Sequence, residues 1–110
     1  MANRYLHKVS IPSAATETTL YTVPAATTAV VRSLRVTNAS SGASLLTVTQ
    51  YDSGDATAHY ALRNRSLAVS TSLDVFNGVP FVMEEGDVLK VTSSEASVTF
   101  YLSYMEVDRT

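Results

Sequence analysis

The sequence contains no cysteine and no tryptophan, and only four glycines and three prolines. The missing cysteines exclude disulfides, thiolate metal sites and a cysteine nucleophile together. Charged residues are scarce, 16% of the chain, where an ordinary globular protein has about a quarter. That leaves little material for the polar faces of long amphipathic helices. The net charge of −2 gives no general attraction to nucleic acid. No apolar run approaches the ~20 residues that span a bilayer. The opening stretch, residues 1–8, holds Arg4, His7 and Lys8 and no apolar segment, so no secretory signal is expected there. Gly42, Gly54, Gly78 and Gly86 each stand alone, which rules out a glycine-rich phosphate cradle.

What is abundant points to strands. The chain has 14 Val, 14 Thr and 14 Ser in 110 residues, and β-branched side chains suit a pleated, half-buried surface. One domain is expected at this length. Alternation of apolar and polar residues predicts strands over 18–23, 29–38, 44–51, 58–63, 69–76, 79–83, 88–92 and 97–107, separated by Gly, Pro, Asn, Asp and Ser turns. About eight antiparallel strands at even spacing imply an all-β sandwich, and eight in two sheets is the jelly-roll number. Residues 1–15, weakly periodic and containing Pro12, read as an extended N-terminal arm ahead of a sandwich domain over 16–110. The expected core is Leu34, Val36, Leu46, Val48, Leu62, Val75, Val88, Phe100 and Leu102.

Candidate chemistry is thin. The two histidines, His7 and His59, sit in the arm and on a strand, with no Gly-x-Ser-x-Gly elbow to supply a nucleophile. Glu84, Glu85 and Asp87 surround Gly86, and Asp52 and Asp55 flank a hairpin turn; neither stretch has EF-hand spacing, and all are read as solvated turn residues. No catalytic residue, metal ligand or cofactor is expected, so the chain is read as a non-enzyme. Asn38-Ala-Ser40 and Asn64-Arg-Ser66 match the N-glycosylation pattern by chance. The arginines are more informative. Arg32, Arg35, Arg63 and Arg65 all fall in predicted strands, the first two on opposite faces and the last two on one. Residues 1–65 carry net +3 and residues 66–110 net −5. Such a bipolar subunit suits packing against copies of itself. The interface candidates are therefore Arg4, Tyr5, His7 and Lys8 in the arm, with Arg35, Arg63 and Arg65.

Three stretches carry a resemblance. Thr18-Thr-Leu-Tyr-Thr-Val-Pro-Ala25, Ala29-Val-Val-Arg-Ser-Leu-Arg-Val-Thr-Asn38 and Asn77-Gly-Val-Pro-Phe-Val-Met-Glu-Glu-Gly-Asp-Val-Leu-Lys-Val91 resemble small bacteriophage virion proteins of β-sandwich fold. The family's usual Lys or Gly after Val-Pro-Ala is here Ala26-Thr27. The resemblance implies a head decoration (cement) protein that bridges capsomers, with a tail-associated adaptor or a receptor- or sugar-binding module as the alternative. It implies a homo-oligomer, expected to be a trimer, that contacts the major capsid protein or another virion protein. No nucleic-acid or membrane partner is implied. Assembly in the host bacterial cytoplasm and residence in the virion follow from the same resemblance.

Overall fold

The computed structural model describes residues 3–54, 56–76 and 80–108. Among them every regular element is a strand: β1 (Asn3–Ser10), β2 (Thr18–Thr22), β3 (Thr27–Asn38), β4 (Ser44–Asp52), β5 (Thr57–Leu67), β6 (Ser72–Asp74), β7 (Phe81–Met83), β8 (Val88–Ser93) and β9 (Val98–Asp108). One sheet runs β1-β9-β3-β6, with β7 also pairing β3, and the other runs β2-β8-β4-β5. All pairings are antiparallel. Strands β6 and β7 face different stretches of β3, residues 35–37 and 29–31, so they are one edge position interrupted. Nine segments thus fill eight places, in the alternating order of a jelly roll.

The core lies between the sheets. Leu34, Val36, Leu46, Val48, Phe100 and Leu102 are fully buried, as the alternation predicts, with Leu62 and Val75 partly buried against them. Val88 differs: β8 turns Leu89 and Val91 inward and leaves Val88 half-buried. The reason is a parity that a short strand does not reveal by itself.

Bulges shift parity elsewhere. The register slips between Val31 and Ser33, so Val31 and Leu34, an odd distance apart, both point into the core while Arg32 is left outside. Arg32 and Arg35 are consequently both exposed, against the strict alternation expected. An extra residue in one strand of a pair has this effect by construction. A slip in β2 buries Leu20 and Tyr21 side by side, and two slips fall along β5.

The expected arm is also different in kind. Residues 3–10 pair along the whole of residues 100–107 as the edge strand β1. Its apolar contribution is small, which is why the sequence shows no strand period there: Leu6 alone packs against the core.

Two polar side chains at or beside turns are structural, and Asp87 is not the solvated turn residue expected. Asn38 is fully buried. Its Nδ2 donates to the carbonyls of Gly42 and Leu67, both at 2.9 Å, and its Oδ1 accepts from Ser40 N (2.9 Å) and Ser40 Oγ (2.6 Å). Every polar atom of that side chain is satisfied, as burial requires, and the glycosylation match is closed to modification in the folded chain. Asp87 is buried too. Its carboxylate accepts from Ser53 N (3.0 Å), Ser53 Oγ (3.1 Å), Glu84 N (2.9 Å) and Gln50 Nε2 (3.2 Å). It fastens the β4–β5 hairpin loop to the β7–β8 turn.

Candidate functional site

The outer faces of the two sheets differ in chemistry. On the second sheet Thr19, Thr47, Lys90 and Thr92 face outward in adjoining register, a mainly polar surface with Leu45 of β4 and Tyr60 of β5 exposed singly. On the first sheet one cross-strand row reads Tyr5, Met105, Val30, Val82 across β1, β9, β3 and β7. Its ends are the most open: Tyr5 is 78% exposed and Val82 56%. Cross-strand neighbours on one face lie in side-chain contact range, so this is a continuous apolar band facing water.

A second outward row reads Val9, Tyr101, Arg35, Asp74, with Val9 and Tyr101 51% and 41% exposed. Between the two rows stand His7, Ser103 and Ser33. Beside Ser103, small between rows of large side chains, lies a depression of about 290 Å³, lined by Tyr5, Leu6, His7, Arg32, Tyr101, Ser103 and Tyr104. The His7 ring lies parallel to Tyr101, centroids 5.5 Å apart. Arg32 reaches the depression because the β3 bulge puts it outside. Among the described residues neither Arg32 nor Arg35 has an intrachain ion pair.

The predicted interface residues fall in four places. Tyr5 and His7 meet on this outer face, with Arg35 one row away. Arg63 and Arg65 lie on β5, the far edge of the other sheet; Arg63 sits over the Tyr60 ring, 4.8 Å from its centroid, and Arg65 aligns with Leu46. Lys8 is exposed on β1 in register with Leu102. Arg4 serves the fold: its Nη2 donates to Glu106 Oε1 at 2.9 Å. Glu106 is buried, and its Oε2 accepts the Tyr21 hydroxyl at 2.5 Å. Burial, then the hydrogen bond to Glu106, pushes the Tyr21 hydroxyl far above its ordinary pKa. Tyr104, 4.3 Å from the Tyr21 ring, is raised by burial and by the same carboxylate.

Sequence reasoning missed Arg32, Tyr101, Met105, Val30 and Val82. A strand buried on one face should alternate, and Val30-Val31 followed by Val82 between Phe81 and Met83 is apolar on both faces. That excess was the available signal.

No protein-family model matches the chain, and no curated protein matches it by sequence. Solved structures share its fold. A chain of the Bacillus endospore appendages, which form disulfide-linked pili, superposes with a TM-score of 0.60 at 14% identity, over 99% of this chain and 88% of that one. A chain of infectious bursal disease virus, Gx strain, gives 0.55 at 11% identity over 94% of this chain and 32% of its own length. A chain of the T13 particle of the same virus gives 0.51 at 14% identity over 98% and 36%. This chain therefore spans about a third of those two viral chains. At such identities the likeness is one of fold alone.

Proposed function

We propose that the chain is a non-enzymatic structural protein of a bacteriophage virion, a head decoration protein that bridges capsomers as a homo-oligomer. The observation that carries this reading is the apolar band Tyr5–Met105–Val30–Val82 on the outside of a sheet whose inside is already a complete core. A monomer gains nothing from such a band, whereas an interface core is enriched in Tyr, Met and Arg. Standard interfaces bury ~1,600 Å² in total, and a sheet face four strands wide is a surface suited to that. The fold supports the reading, since the solved structures it resembles belong to virus particles and to a pilus. The pili are disulfide-linked; this chain has no cysteine, so its contacts must hold by burial and charge alone. Repetition over a particle makes modest contacts strong in aggregate.

A tail-associated module is the second reading. It is favoured by the two exposed tyrosines flanking the depression, which could stack on a sugar ring. Quantitative mass spectrometry of particles separated into heads and tails decides between them. Many copies per head support the decoration role, recovery with tails alone supports the second reading, and absence from both contradicts each.

A further inference from the structure

We infer that the depression between Tyr5 and Tyr101 is a socket for the acidic turn Glu84–Glu85 of a second copy of this chain. The inference rests on the self-assembling role proposed above and names the contact.

The socket side is cationic and aromatic. Arg32 stands in it with no intrachain ion pair among the described residues, and His7 lies against Tyr101. Ser103 is the small side chain among its larger walls, and the depression is open to solvent, so a projecting group can enter. The acidic group on the same face is Asp74, in the row of Arg35. Glu106, on the same strand as Tyr101, points the other way and is held by Arg4 and Tyr21.

The turn side is acidic, projecting and already ordered. Glu84 and Glu85 are exposed, and no Lys or Arg occurs from residue 66 to residue 89. The turn is fixed by Glu84 N–H to Asp87 (2.9 Å), Ser53 Oγ to the Glu85 carbonyl (2.8 Å) and Gly86 N–H to the Val23 carbonyl (3.0 Å). A preordered segment loses little entropy on docking. Arginine beside tyrosine is the composition of binding hot spots, and opposite charge fixes the register of approach.

The socket and the turn are different patches of the surface, and copies can join head to tail through them. The contact is heterologous and gives a ring where it closes and a filament where it does not. A three-membered ring is the trimer that the resemblance implies.

Charge reversal on each side tests this. Arg32→Glu and Glu84→Arg are compared with wild type by sedimentation over a range of concentrations, with circular dichroism and thermal melting confirming that each is folded. Glu85 is kept, because its carboxylate accepts the Ala26 N–H. Each variant alone should associate at least about tenfold more weakly than wild type. The double variant Arg32→Glu/Glu84→Arg should recover association, since every reversed socket then meets a reversed turn. Loss in Arg32→Glu with wild-type behaviour in Glu84→Arg means that another surface fills the socket, and overturns the inference. So does a folded double variant that fails to recover. Wild-type association by both variants overturns the socket and leaves self-assembly standing. A wild type that stays monomeric at every concentration overturns self-assembly as well.

Discussion

Tyr21 on β2 and Glu106 on β9 join the two sheets by one buried hydrogen bond, the phenol donating to the carboxylate at 2.5 Å. The pair sits where the inner faces of both sheets meet, and Arg4 completes the carboxylate from the edge strand. Tyr21→Phe leaves Glu106 buried with one partner fewer and should cost about 1–3 kcal/mol. The pH dependence follows from the raised pKa of Tyr21. The folded chain keeps this proton at a pH where the unfolded chain, with tyrosine near pKa 10, releases it. The contribution is therefore whole below about pH 10 and is lost as pH rises toward the folded value. Denaturant unfolding at pH 8 and pH 11 should show this loss in wild type and a smaller one in Tyr21→Phe.

Asp87 predicts the opposite limb. Burial alone would raise its pKa, but the N–H groups of Ser53 and Glu84, the Ser53 hydroxyl and the Gln50 amide hold it below the ordinary carboxylate value. Its contribution is present above the unfolded value of about 3.9 and disappears as pH falls through the folded one. Asp87→Asn should destabilise at pH 7 and flatten the acid limb of a stability–pH curve. An unchanged acid limb would show that another carboxylate governs it.

Gly86 is fixed by its neighbour. It has φ +83°, and a Cβ there would lie 3.0 Å from Ser53 Oγ and 3.1 Å from Ser53 Cβ. Both the left-handed backbone and the contact oppose a side chain, so Gly86→Ala should cost about 1–3 kcal/mol. Chemical denaturation measures it; a loss under ~0.5 kcal/mol would mean that the loops separate without penalty.

Removing residues 2–10 should do more than free an arm. It uncovers the edge of β9 over residues 100–107, removes Leu6 from the side of the core and deprives Glu106 of Arg4. A bare, apolar strand edge invites pairing with other chains. The truncated protein should melt at lower temperature and aggregate on heating, read by light scattering. Unchanged melting would return the segment to the status of a dispensable arm.

The sequence shows the fold where one face is buried and the other wet. Leu34, Val36, Phe100 and Leu102 alternate cleanly because β3 and β9 are central strands with a solvated or interface side. It does not show what depends on pairing. The bulge at Arg32 is invisible without β9 opposite it, and with it goes the placement of Arg32 beside Tyr5 and Tyr101. β1 is hidden for a related reason, being an edge strand exposed on most positions of both faces, which carries no period. Asp87 sits in a turn and Asn38 ends β3 just before one; burial comes from distant chain folded over each, Ser53 of the β4–β5 loop and Leu67 at the end of β5. The left-handed Ala26, φ 55°, stands where the resembling family has Lys or Gly, so the turn keeps its shape with a less suited residue.

The most direct measurement is a cryo-EM map of the intact particle. A head decoration protein should appear there as many symmetry-related copies of this sandwich on the head, with the band Tyr5–Met105–Val30–Val82 covered by a neighbouring subunit. Copies that leave this band in solvent, or a head without the protein, would contradict it.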